Sequence, residues 1–226
     1  MRLPSHIDFA AFLQYSPRGI SEVERQSRVL RDAIKRDGHL SVKSPERSER
    51  VRGIELIVQW LKRAHSIDSM LQEVIGPDHV LVPVPRSAPL ARPDALWPSL
   101  RICNALVSAG LGAAVVPLIV RHTAVQKSAF AAAGQRPSAM DHYNSSAIDE
   151  NVLIPKTPKI TLVDDFVTRG ATFIGMYPHI RSVLPQARVS CFALVRTTSF
   201  DPVSKIVAPV RGVITANLFG NTRREP

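Results

Sequence analysis

The chain has 226 residues, 45% of them hydrophobic, and its 29 lysines and arginines against 19 acids give a formal net charge of +10. This length admits one domain with a substantial core and an appended piece, and no run of ~18 apolar residues is present that would span a membrane. The first residues lack the long apolar core of a secretory signal. Cys103 and Cys191 stand far apart in apolar contexts and read as buried thiols, without disulfide or metal spacing, so a cytoplasmic protein is the expectation.

Residues 1–20 show little pattern and carry Pro4, Pro17 and Gly19. Ser21 with Glu24 makes a capping box, and Val23, Leu30, Ala33 and Ile34 give a helical face that Gly38 stops. Ser44-Pro45 starts a second helix, with proline at its first position and Val51, Ile54, Val58, Leu61 and Ala64 at helical spacing. Ser66 caps a third short helix through Met70, Leu71 and Val74, ended by Gly76-Pro77. Residues 1–76 therefore read as a helical cap or interaction segment, with 77–226 as the main α/β domain. Basic residues are dense there, among them Arg25, Arg28, Arg31, Lys35, Arg36, Lys43, Arg47, Arg50 and Arg52. They are either solvated helix faces or a surface for a polyanion such as nucleic acid. Three short basic helices permit a helix-turn-helix, although no spacing demands one, and the scarcity of aromatics argues against a single-strand stacking platform.

At Val80 the pattern changes. Val80-Leu81-Val82-Pro83-Val84-Pro85 is a β-rich run followed by Arg86-Ser87, and its prolines belong at the strand's end, where no ladder donor is needed. Asp94 starts a helix with Leu96, Leu100, Cys103, Leu106 and Val107 inward and Gly110 as its stop. AAVVPLIV, 113–120, reads as a second buried strand, completing a βαβ unit of a parallel sheet. From Arg121 to about Lys159 periodicity is weak, and a stretch this long is functional or disordered. His122 and His142 within it read as plain loop residues.

The densest chemistry lies in ITLVDDFVTRGAT, 160–172. Ile160, Leu162 and Val163 mark a buried strand, and Asp164 and Asp165 follow where it ends. Thr168-Arg169-Gly170-Ala171-Thr172 then makes a small-residue turn into a helix. Ligands of open α/β sheets sit outside the carboxyl ends of strands. A helix start there aims backbone N–H groups and the positive dipole end at a phosphate. Gly170 and Ala171 allow close approach, the hydroxyls of Thr168 and Thr172 can donate, and the acids suit ribose hydroxyls or a magnesium ion. Phe173 to Leu184 has helical spacing that Pro178 should kink or split. RVSCFALV, 188–195, is the next strand, with Arg196, Thr197 and Thr198 past its end, and the tail offers short strands at 206–207 and 213–215.

The strand, acid pair and TRGAT loop resemble the PRPP-binding motif of type I phosphoribosyltransferases, over about a dozen residues. VPVPRS is similar to their pyrophosphate loop, especially in the ComF and amidophosphoribosyltransferase-like members. Those members continue with a longer basic segment, whereas this chain continues SAPLARPDALWPSL. The resemblance implies a Rossmann-like parallel-sheet core with a helical N-terminal extension. It implies transfer of a 5-phosphoribosyl group from PRPP to a nitrogen nucleophile, with magnesium. Thr168, Arg169, Gly170, Ala171 and Thr172 would take the 5-phosphate. Asp164 and Asp165 would serve the sugar and, through water, the metal. Arg86 and Ser87, and more weakly Arg92, would take the pyrophosphate. The stretch 121–159 would be a loop that closes over the substrate, with Arg121, Gln126, Lys127, Ser128, Gln135 and Arg136 as closing candidates, and with Lys127 or Arg136 on the departing pyrophosphate. The alternative is a regulatory protein that keeps the PRPP site as a sensor. Expected partners are PRPP, an acceptor the residues do not name, nucleic acid or a partner protein on the basic N-terminal helices, and a second copy of the chain. No membrane partner is expected.

Overall fold

The computed structural model describes residues 3–43, 48–92, 94–126, 136–153, 159–198 and 201–226. In chain order the elements are β1 (His6–Tyr15), α1 (Glu22–Arg36), β2 (His39–Lys43), β3 (Ser48–Arg52), α2 (Gly53–His65), α3 (Ser69–Val74), β4 (Val80–Pro83) and α4 (Pro98–Ser108). There follow β5 (Ala114–Val115), β6 (Ile119–Arg121), α5 (Ala139–Asn144), β7 (Ser146–Ile148), β8 (Lys159–Val167), α6 (Ala171–Val183), β9 (Arg188–Thr197), β10 (Val207–Ala216) and β11 (Thr222–Glu225).

Seven strands form one sheet in the order β11-β10-β1-β9-β8-β4-β5. The pairs β1/β9, β9/β8, β8/β4 and β4/β5 are parallel, and β10 and β11 add an antiparallel edge. The α/β class with a mostly parallel, Rossmann-like sheet agrees with the expectation. Apolar residues of α1, α2, α3 and α4 share one buried cluster with Phe12, Leu81, Val163 and Phe192. A second cluster joins α5 and α6 to Phe9, Val82, Leu162 and Ala193 on the other side. Cys103 lies in the first cluster and Cys191 in the second, both buried and free.

The helical N-terminal extension is not what the structure shows. β1 lies between β9 and β10, with Ala10, Ala11 and Phe12 fully buried. A strand buried on both faces shows no polar alternation, and FAAFL carries no β-branched residue to announce it. The helix expected from Ser44-Pro45 begins instead at Gly53, after the antiparallel β2–β3 pair; Ser44 and Pro45 lie outside the described residues. AAVVPLIV is also two elements. β5 extends the main sheet beside β4, whereas β6 pairs antiparallel with β7 in a separate two-stranded sheet. Pro117 between them has no N–H to give a ladder. The weakly periodic stretch after Arg121 contains α5 and β7, and α6 runs through Pro178 unbroken. The tail's two short strands are one ten-residue strand, β10. Among the described residues, no helix is long and apolar enough to cross a membrane.

Candidate functional site at the carboxyl edge of the sheet

β8 runs further than its sequence suggested, to Val167, so the acid pair lies within the strand. Pairing with β4 ends at Pro83↔Val163, one residue before Asp164, while pairing with β9 continues to Val167↔Arg196. The acids therefore emerge where β4 has turned away into Arg86 and Ser87. Asp164 is half-buried and Asp165 only 7% exposed. The Asp165 N–H donates to Asp164 Oδ1 at 2.8 Å, and Ser99 Oγ, in the first turn of α4, donates to the same oxygen at 3.3 Å. Lys35 Nζ, from the last turn of α1, sits 2.6 Å from Asp165 Oδ2. Burial, and then the neighbouring Asp165 charge, push the Asp164 carboxyl up to about 8, against the pull of Lys35.

The turn after β8 is built around one glycine. Gly170 caps α6 at φ 83, a left-handed conformation that side chains disfavour. A Cβ placed there would fall 2.4 Å from Ile214 Cδ1 of β10. The turn is thus pressed onto the sheet at the start of the 13-residue helix α6, whose first N–H groups have no partner within the helix. Arg224 of β11 holds the turn from behind: Nε–H donates to the Thr168 carbonyl and Nη2–H to the Thr197 carbonyl, each at 2.8 Å. The hydroxyls of Thr168 and Thr197 lie 3.3 Å apart. Burial, and then the like charge of Arg196, lower the Arg224 guanidinium to about 10. Arg224 Nη1 and Arg196 Nε are buried without a hydrogen-bond partner among the described residues. Arg169 is exposed.

Arg121 is a correction to the expected mobile loop. It closes β6, is 6% exposed, and spends its donors on neutral groups. Nε–H donates to the Arg86 carbonyl at 3.0 Å and Nη1–H to the His142 carbonyl at 3.1 Å and to Ser145 Oγ. Burial lowers it to about 10, with Asp164 pulling the other way. It thereby ties the Arg86-Ser87 turn to α5. With Arg86, Pro89, Leu90, Trp97 and Val120 it lines a cavity of about 220 Å³. The Ser87 carbonyl accepts from the Val125 N–H at 2.7 Å.

His142 is likewise no plain loop residue. It is buried on α5, with Nδ1 3.4 Å from Arg121 Nη2 and Nε2 3.5 Å from Thr172 Oγ1. Burial and the Arg121 charge hold it down to about 4, so the ring is neutral. Gly175 lets α5 lie this close to α6, since a Cβ there would meet the Ala139 carbonyl at 2.5 Å.

Asp164, Asp165, Arg86, Ser87 and the 168–172 turn therefore converge on one edge. Arg92 stays out at the surface in an ion pair with Asp94, and Arg136 is exposed just before α5; Lys127 lies outside the described residues. Sequence reasoning missed Lys35, Ser99, His142 and Arg224, which reach the site from distant elements and carry no local motif. No protein-family model matches the chain, and no curated protein matches it.

Proposed function

We propose that this chain is a phosphoribosyltransferase that binds PRPP and passes its 5-phosphoribosyl group to a nitrogen nucleophile. The observation that carries the reading is the adjacent acid pair on β8, followed by a turn whose Gly170 sits left-handed against Ile214 at the start of α6. A phosphate on the N–H groups of 169–172 would be held by the helix dipole and the threonine hydroxyls. Asp164 and Asp165 would accept from the ribose hydroxyls. Arg86 and Ser87 would face the pyrophosphate, with the Arg86 backbone steadied by Arg121. The C1–O bond to pyrophosphate breaks with its electron pair leaving on oxygen, and the acceptor nitrogen forms the new C1–N bond. The chain's share is positioning and charge complementarity.

Asp164 and Asp165, adjacent on β8, would suit magnesium, a hard ion that takes oxygen ligands and keeps most of its waters. Bound there, magnesium supplies charge neutralisation at the leaving group. A second reading, a PRPP sensor without turnover, is favoured by the net charge of +10 and by the short pyrophosphate turn.

Calorimetric titration with PRPP and magnesium, with and without a panel of nucleobases, separates the readings. Saturable binding with turnover heat from one base supports the enzyme, and binding alone supports the sensor. Asp164→Asn with Asp165→Asn is expected to stay folded and lose PRPP binding. Unchanged binding in that variant removes the site assignment.

A further inference from the structure

The sequence offers α1 only as an amphipathic helix with a basic face, yet its last turn enters the site. Lys35 Nζ is 2.6 Å from Asp165 Oδ2 and 4.8 Å from the centre of the Phe166 ring, which itself packs edge-on to Tyr15. Asp165 is nearly sealed while Lys35 is half-exposed, so the pair has one fixed partner and one reachable from solvent.

The helix end that carries Lys35 is anchored. Asp37 caps α1 in the left-handed region at φ 52. Its Oδ2 accepts from Arg52 Nη1 of β3 at 3.0 Å and lies 2.8 Å from Arg101 Nη1 of α4. Ser99 stands two residues before Arg101 and donates to Asp164. One ion cluster thus fixes both helix ends that touch the acid pair: α1 holds Asp165 and α4 holds Asp164.

We propose that Lys35 is a positioning residue of the sugar site, which makes the chain select a ribose 5-phosphate over its 2-deoxy counterpart. With Oδ2 committed to Lys35, Asp165 presents Oδ1 in one orientation to the vicinal hydroxyls. A fixed acceptor left without its hydroxyl discriminates strongly, whereas a free carboxylate turns to water. Removing the ammonium would leave the nearly sealed Asp165 carboxylate with no counter-charge from α1. The inference rests on reading the acid pair as the sugar site.

The test titrates ribose 5-phosphate, 2-deoxyribose 5-phosphate and inorganic phosphate into the wild type, Lys35→Ala and Lys35→Arg, with circular dichroism as the check on folding. The wild type is expected to prefer ribose 5-phosphate by about tenfold, the ratio that one such hydrogen bond provides. Lys35→Ala is expected to lose that preference while its phosphate affinity stays within about twofold, and Lys35→Arg to restore most of it. A folded Lys35→Ala that keeps the wild-type preference overturns the role of Lys35 and leaves the site reading intact. A wild type that binds neither sugar phosphate overturns the site reading and this inference together.

Discussion

Two structures flank the same edge and are made in opposite ways. The β8–α6 crossover is local: strand, acid pair, glycine turn and helix follow within one run of residues, and the turn's shape depends on Gly170 and its contact with Ile214. The β6–β7 sheet with α5 is assembled from afar. It is held by buried Arg121, which reaches 35 residues back to Arg86 and 21 forward to His142. The first region is specified by backbone conformation, the second by a desolvated polar network. The two should therefore fail differently, one to steric insult and the other to acid and to loss of a cation.

The largest effect is expected at the turn. Gly170→Val would combine a left-handed φ, costing about 1–2 kcal/mol for a side-chain residue, with overpacking against Ile214, costing about 1–3 kcal/mol. A loss of about 4 kcal/mol in urea unfolding is expected. In an Ile214→Ala background the added penalty should shrink to the backbone part. Equal penalties in both backgrounds would show that the contact with Ile214 is not what shapes the turn.

Acid should act on the other region. His142 is held down to about 4 from an ordinary 6.5. Between those values the unfolded chain takes up a proton that the folded chain refuses. Stability therefore falls as pH drops through that window, by at most about 3 kcal/mol from this residue. Burial lowers His79 and His179 as well, in the same direction. The share of His142 is the difference between wild type and His142→Gln across pH 6.5 to 4. A flat difference would contradict the assignment.

Arg121→Met comes next. It leaves the Arg86 carbonyl short of a donor, at an expected cost of about 2 kcal/mol, whereas the His142 carbonyl keeps Ser146 Oγ at 2.8 Å. It also removes the like charge that helps hold His142 down, so the acid-dependent loss should become smaller in this variant. An unchanged slope would mean that burial alone sets the histidine.

This contrast also governs what could be read from the chain. The acid pair, the glycine turn and the β-rich run ending at Pro83 are each spelled by neighbouring residues. β1 was missed because a doubly buried strand of FAAFL composition has neither alternation nor β-branching. Lys35 and Arg224 carry no motif, since what brings them to the edge is α1 packing beside β1 and β11 pairing with β10. AAVVPLIV looked continuous because hydropathy does not report a missing N–H at Pro117.

The smallest effect sits where the two regions meet. Ser138 caps α5, accepting from the Asp141 N–H at 3.2 Å, while Asp141 Oδ2 accepts from the Ser138 N–H at 2.8 Å. That reciprocal box uses aspartate in place of the usual glutamate or glutamine, and it starts a helix of only six residues, too short to show a period. Ser138→Ala is expected to cost about 1 kcal/mol. The direction of its functional effect is more informative than its size. α5 carries His142 against Thr172, so if the turn holds a phosphate as proposed, a loosened cap should weaken that binding while leaving the proposed Lys35-dependent choice between ribose and deoxyribose unaltered. If both change together, the two regions are mechanically one.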